Sequence, residues 1–180
     1  MTDLFTSPKR PFFRSTQIMK LGKLDPVIYS EFIVSMFGKY KKEISPEIAM
    51  EILEWSNTHT FYVQQLCNRV FSTTKIKVTS ESWKQQAYLL LKEQEPVFFV
   101  YRSMLSKSQW QLLKALADEG FVYQPTSGKF LDKYRLGTSA TVLRSLAALQ
   151  NYELVYKNFD QEGAPFYSVY DLFLQRWVGS

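Results

Sequence analysis

From Asp25 to Glu95, apolar residues recur every three or four positions, the spacing of helices that each bury one face. "DPVIYSEFIVSMFGKY" predicts a helix with Asp25 as its cap and Pro26 at the first position, and Ile28, Phe32, Ile33, Met36 and Phe37 inward. "SPEIAMEILEW" repeats the Ser–Pro start and turns Ile48, Ile52 and Leu53 or Trp55 inward. In "TFYVQQLCNRVF" the apolar stripe is Tyr62, Val63, Leu66, Cys67, Val70 and Phe71. "SESWKQQAYLLLKE", capped by Ser80, makes a fourth helix. Short connections between four such helices predict a compact bundle.

The pattern changes at Pro96. "PVFFVYRSML" predicts a short aromatic helix, and "SKSQWQLLKALADEG" a second that opens on a capping box, Ser106 with Gln109, and stops at Gly120. "TSGKFLDKYRLG" predicts a further short helix, with Gly137 marking a tight turn. "TSATVLRSLAALQN" then places Val142, Leu143, Leu146 and Leu149 inward, and Thr138, Ser139, Thr141, Arg144 and Ser145 outward. "LVYKNF", "DQEG" and "PFYSVYD" predict a hairpin, and "LFLQRWV" a terminal amphipathic helix. Helices, a turn, a helix and a two-stranded wing follow the winged-helix order. The predicted class is mainly α: a four-helix bundle over 25–95, then a winged-helix domain with a small β-hairpin over 96–180. Residues 1–24 lack helical periodicity, and "STQIMKLGKL" alternates like a short strand. A lone strand needs a sheet to join, so this one predicts that the chain is a piece of something larger.

Composition adds limits. A hydrophobic content of 46% with 16% aromatics supplies a real core. No apolar run approaches the roughly 20 residues of a membrane span, so no membrane partner is expected. A single cysteine forms no internal disulfide, and a cytoplasmic setting is expected. The net charge of +5 is uneven: +4 in residues 1–24, −1 in 25–95 and +2 in 96–180. A nucleic-acid coat would spread its positive charge over the folded body, so the basic balance alone is a weak sign of one.

Candidate chemistry is sparse. Gly38-Lys39 and Gly128-Lys129 lack the upstream glycine and the following Ser or Thr of a Walker A loop. The sequence has no Cys/His cluster with zinc spacing. Its one histidine, His59, lies eight residues before Cys67, about two turns at ~1.5 Å per residue, too far for a nucleophile–base pair. No enzyme, catalytic residue or metal site is therefore expected of this chain alone. Cys67 reads as a small buried hydrophobe. His59 opens a helix after "SNT", where free N–H groups and the positive dipole end suit an anion, a polar ring edge or simple capping. A DNA reader would use Lys129, Lys133, Arg135, Thr138, Ser139, Thr141 and Arg144 for phosphates and base edges. Against that, Arg144 is the only basic residue within the recognition-helix segment, and Asp160 and Glu162 at the wing tip repel phosphate. Winged helices also dock proteins, for which aromatics near Phe98 and Tyr101 are candidates.

"KRPFFRS", "YSEFIVSMF", "HTFYVQQLCNRVF" and "YSVYDLFLQRW", in that order, resemble the C-terminal part of bacterial and archaeal STAND-type ATPases of the AAA+ branch of P-loop proteins. The resemblance implies that residues 1–24 are a remnant of the ATPase core strand and linker, 25–95 a helical lid and 96–180 the winged helix. The lid helix of that family often opens with Gly-x-Pro against the nucleotide; the matching positions here are Thr58, His59 and Thr60. They are thereby expected to face nucleotide, with Arg14 near phosphate at the core exit. The implied role is a non-catalytic regulatory region contributing one wall of a nucleotide site and a docking surface. No cofactor is implied for this chain alone, and ATP or ADP with Mg for a full-length parent. The implied partner is an ATPase core domain, in cis or missing from this chain. The alternatives are a stand-alone winged-helix DNA-binding transcriptional regulator, whose bundle senses or dimerises, and a protein-interaction adaptor.

Overall fold

The computed structural model describes residues 22–160 and 162–179. The expected strand over residues 15–24 and the candidate Arg14 therefore lie largely or wholly outside the described residues. Four helices come first: α1 (Pro26–Lys39), α2 (Pro46–Trp55), α3 (Thr60–Thr73) and α4 (Ser80–Met104). They are followed by α5 (Lys107–Glu119), α6 (Gly128–Tyr134), α7 (Ser139–Asn151), the antiparallel pair β1 (Val155–Phe159) and β2 (Pro165–Val169), and α8 (Leu172–Val178).

The caps explain most helix starts. Asp25 accepts from the N–H groups of Val27 and Ile28, and Ser45 from Ile48, each beside a proline at the start of its helix. Ser106 and Gln109 form the predicted reciprocal box of α5. In α4 the cap is Thr79, one residue before the expected Ser80, and Ser82 completes a box with it. Gly120 ends α5 at φ +75°, a backbone region that costs a β-carbon dearly.

Three expectations change. The predicted break at Pro96 is absent: α4 runs for 25 residues through it. Pro96 forfeits one helical hydrogen bond, but Phe98 is 2% exposed and its ring lies 5.4 Å from that of Trp177, so packing carries the helix onward. In α1 the buried residues are Tyr29, Ser30, Ile33 and Phe37, while Ile28, Phe32 and Met36 are exposed. That helix carries apolar residues on two faces, and periodicity alone picked a mixture of both. In α7, Ser145 is buried and Leu143 is 55% exposed, the reverse of the prediction. The Val142, Leu146, Leu149 row sets the inward direction, and Ser145 sits beside it.

β1 and β2 pair in register from Val155 opposite Val169 to Phe159 opposite Pro165. Val122, after α5, adds one antiparallel bridge to Tyr167, so the wing has a short third edge. Its inner face, with Val122, Val155 and Val169, joins the α5–α7 core.

The last helix ties the two parts of the chain together. α8 packs on both α4 and α5 and buries Phe173 and Leu174. Asp171 caps it through the N–H groups of Phe173 and Leu174. The Tyr62 hydroxyl accepts the Leu172 N–H at 3.1 Å and donates to Asp171 at 3.5 Å. Arg176 donates through Nε and Nη2 to the Trp55 carbonyl at 3.1 and 2.8 Å, and Trp177 Nε1 donates to Glu95 at 3.0 Å. Bundle and winged helix share a single buried apolar cluster.

Candidate functional site

The loop between α2 and α3 is unusual in its backbone. Asn57 and Thr58 follow one another in the left-handed region, at φ +49° and +52°, which ordinary side chains rarely adopt. The pair reverses the chain within three residues. The Thr58 N–H donates to the Leu53 carbonyl at 2.7 Å, and the His59 N–H to that of Ser56 at 2.9 Å. Arg176 holds the same loop from above, since its guanidinium caps the Trp55 carbonyl and reaches Asn57 Oδ1 at 3.5 Å. Burial lowers the Arg176 pKa, with Glu54 opposing the shift.

His59 occupies the cap position of α3 and makes no side-chain capping bond. The first N–H groups of α3 therefore gain nothing from that side chain. His59 is exposed, and its ring lies 5.0 Å from that of Tyr62. Tyr62 is in turn 4.8 Å from Phe173. Burial pushes the Tyr62 phenol up to about 12, Asp171 adds to the rise, and the Leu172 N–H works against it.

A cleft of about 260 Å³ opens between this loop and the wing. Lys23, Asn57, His59 and Tyr62 form one wall; Tyr156, Asn158, Phe166 and Tyr170 form the other. Of the four predicted nucleotide-facing residues Arg14 lies outside the described residues, and of the other three His59 alone lines the cleft. Thr58 is half-buried in the loop, and Thr60 is exposed at the first turn of α3. Sequence reasoning did not pick out Lys23, Asn57 or the wing aromatics. The available signal was the alternation of "PFYSVY", which sends Phe166 and Ser168 to one side of the sheet and Tyr167 and Val169 to the other.

The DNA-contact candidates are dispersed. Lys129 is exposed near the start of α6 and lines a shallow hollow with Lys133, Phe121, Tyr123 and Ser127. Lys133 is spent on Glu119, at 2.7 Å, which raises the lysine pKa and lowers that of the carboxylate. The Tyr134 hydroxyl donates to Asp118 and Glu119, so two acidic groups border this cluster. Arg135 is exposed and closes α6 in the left-handed region at φ +53°. Thr138 caps α7 by accepting the Thr141 N–H, and the two hydroxyls lie 3.1 Å apart. Ser139 donates to the Thr126 carbonyl at 3.4 Å. The exposed residues of α7 are Ser139 and Asn151 at its ends and Ala140, Leu143, Arg144 and Ala147 between them. This face has one cation and little hydrogen-bonding capacity for base edges.

Cys67 is part-buried in an apolar groove between α1 and α3, together with Phe32, Met36 and Phe71, and burial pushes its thiol up to about 12. Among the described residues no group of three or more His, Cys, Asp or Glu is placed to hold a metal ion, and no helix is long and apolar enough to cross a membrane.

Residues 96–180 match a family model described as a probable winged helix domain. The match begins at Pro96, inside α4, and covers the helices, wing and α8 described above. No curated protein and no solved structure matches the chain. The C-terminal part is thus a winged-helix domain, and the chain is mainly helical with one two-stranded hairpin.

Proposed function

We propose that this chain is the lid and winged-helix region of a STAND-type ATPase, non-catalytic by itself, in a cytoplasmic setting. It contributes one wall of a nucleotide site and works as a conformational switch. The observation that carries this reading is the α2–α3 loop. His59 stands at an open helix N-terminus whose positive dipole end favours phosphate, on a loop clamped to the winged helix by Arg176. Movement of a nucleotide against that loop is passed to α8, because Tyr62 and Arg176 join α8 to α3 and to the loop directly. Differential contact with two nucleotide states is what such a switch requires. The ATP or ADP with Mg belongs to the core domain of the parent, and Arg14 with Thr58 and Thr60 completes the expected nucleotide-facing set.

The native protein tests this. Its intact mass gives the length of the polypeptide that carries these residues, and its ADP release rate is measured before and after His59→Ala. Faster release in the variant is the expected outcome. A native protein without a P-loop, or one whose ADP retention ignores His59→Ala, removes the reading.

A second reading, a winged-helix DNA-binding regulator, draws on the family match and on exposed Lys129, Arg135 and Arg144. It predicts duplex binding that weakens steeply with salt, by about 0.9 log units per log unit for each phosphate neutralised, and that Arg144→Ala reduces. Absence of binding at low salt eliminates it. The Lys133–Glu119 pair and the apolar outward row of α7 favour the first reading.

A further inference from the structure

The outer face of the wing sheet is a continuous aromatic surface. Register places Tyr156 opposite Ser168 and Asn158 opposite Phe166 on this side. Phe121 and Tyr123, flanking the Val122 bridge, close on Phe166 from the third edge, with ring centroids at 5.3 and 6.0 Å. Tyr156 lies 6.5 Å from Phe166 and 6.1 Å from Tyr170. On the face itself Tyr156 and Phe166 are half-buried and Ser168 is buried, but the rings that border it are open to solvent: Phe121 is 49%, Tyr123 50% and Tyr170 68% exposed. Sheet faces bearing aromatic rings in solvent are platforms on which planar rings stack.

Charge around the platform is polarised. At its wing-tip end Tyr123 is near Asp160 and Glu162, whose charges add to the rise that burial gives its phenol pKa. On the side of the α2–α3 loop the cleft is lined by Lys23, His59 and Asn57, which offer a cation and polar side chains with no carboxylate among them. Lys23 also belongs to the leading stretch, residues 1–24, that holds +4 of the chain's +5. Lys23 lines the aromatic cleft, away from the outward row of α7.

We propose that the outer face of the wing, from Phe166 and Tyr156 to Tyr170, with Lys23 at its mouth, binds unpaired bases of single-stranded nucleic acid. The rings take the bases, and Lys23 takes the connecting phosphate. Duplex is excluded, since its bases offer no free π-face to a flat sheet. This site is separate from the α7 face that a duplex reader would use, and it does not depend on the lid reading. Free mononucleotides share the chemistry of base plus phosphate, and the experiment distinguishes them.

The test is fluorescence anisotropy at low salt with a labelled ten-nucleotide single strand, the matching blunt duplex and labelled ADP. The probes are applied to the full chain and to Tyr170→Ala, Lys23→Ala and Arg144→Ala. Tyr170 and Lys23 are exposed, so their variants keep the core; circular dichroism verifies this. The expected result is single-strand binding at least fivefold tighter than duplex or ADP, weakened at least fivefold by Tyr170→Ala. Lys23→Ala should also flatten the salt dependence, and Arg144→Ala, on the separate α7 face, should leave single-strand binding unchanged. No binding of the single strand overturns the proposal, as does equal or tighter binding of duplex or ADP. Insensitivity to both cleft variants overturns it too, even if the strand binds.

Discussion

Replacing Tyr62 by phenylalanine tests whether α8 fastens the winged helix to the bundle. The ring stays against His59 and Phe173, so packing is kept and only the hydroxyl goes. Asp171 loses little, because the contact at 3.5 Å is at the limit of a hydrogen bond and its carboxylate still accepts from Phe173 and Leu174. The loss falls on the Leu172 N–H. It belongs to the first residue of α8 and has no partner within the helix, and Leu172 is only 5% exposed. A buried donor left without its acceptor costs about 1–2 kcal/mol. For a chain of this size each kcal/mol lowers Tm by roughly 2–4 °C, so a fall of about 2–8 °C is expected by calorimetry. The thermogram should keep one transition, since the bond spans the two parts of a shared core. Tyr170→Phe, on an exposed ring, is the control and should leave Tm unchanged. A Tyr62→Phe protein as stable as the parent would show that the hydroxyl bridge does not join the two parts.

Arg176→Met keeps an apolar stem but leaves the Trp55 carbonyl without its charged donor. A loss of about 1.5 kcal/mol in urea unfolding is expected, and a change below about 0.5 kcal/mol would contradict the clamp. Pro96→Ala restores a helical hydrogen bond in exposed backbone and should raise stability by up to about 3 kcal/mol; a lower Tm would mean that the proline shapes α4 for its contact with Trp177. Alkaline pH should destabilise the chain. Burial raises Cys67 and Tyr62 to about 12 from ordinary values of 9.0 and 10.0, so between those limits the folded state holds protons that the unfolded chain releases. Stability therefore falls as pH rises through about 9 to 12, by up to roughly 1.4 kcal/mol per pH unit for each group, and Cys67→Ala should make the decline shallower.

Much of the fold was legible because its signals are local. Prolines beside Asp25 and Ser45, the Ser106–Gln109 box and the glycine at 120 act within a turn of themselves, and each appears where the pattern put it. What failed was decided by distant partners. Pro96 looked like a helix end because its cost is local, whereas the rings of Phe98, Phe99 and Trp177 that hold α4 together come from 78 to 79 residues apart in the chain. Leu143 and Ser145 were exchanged because one helical step separates the two assignments, and only the packed row of Val142, Leu146 and Leu149 decides between them. His59 was visible as an open helix start. Its neighbours Lys23, Tyr156 and Phe166 were not, because the cleft brings three remote segments together.

The Arg176–Trp55 bond also has a consequence in time. Donor and acceptor are 121 residues apart, so at a synthesis rate of about 5–20 residues per second the Trp55 carbonyl emerges roughly 6–24 s before the guanidinium that serves it. The bundle's reversing loop must spend that interval uncapped, with its apolar surface for Phe173 open to solvent and to other nascent chains. A stalled or shortened message would release a species lacking its clasp, and any chaperone attending this chain would find its work at Trp55 and Tyr62.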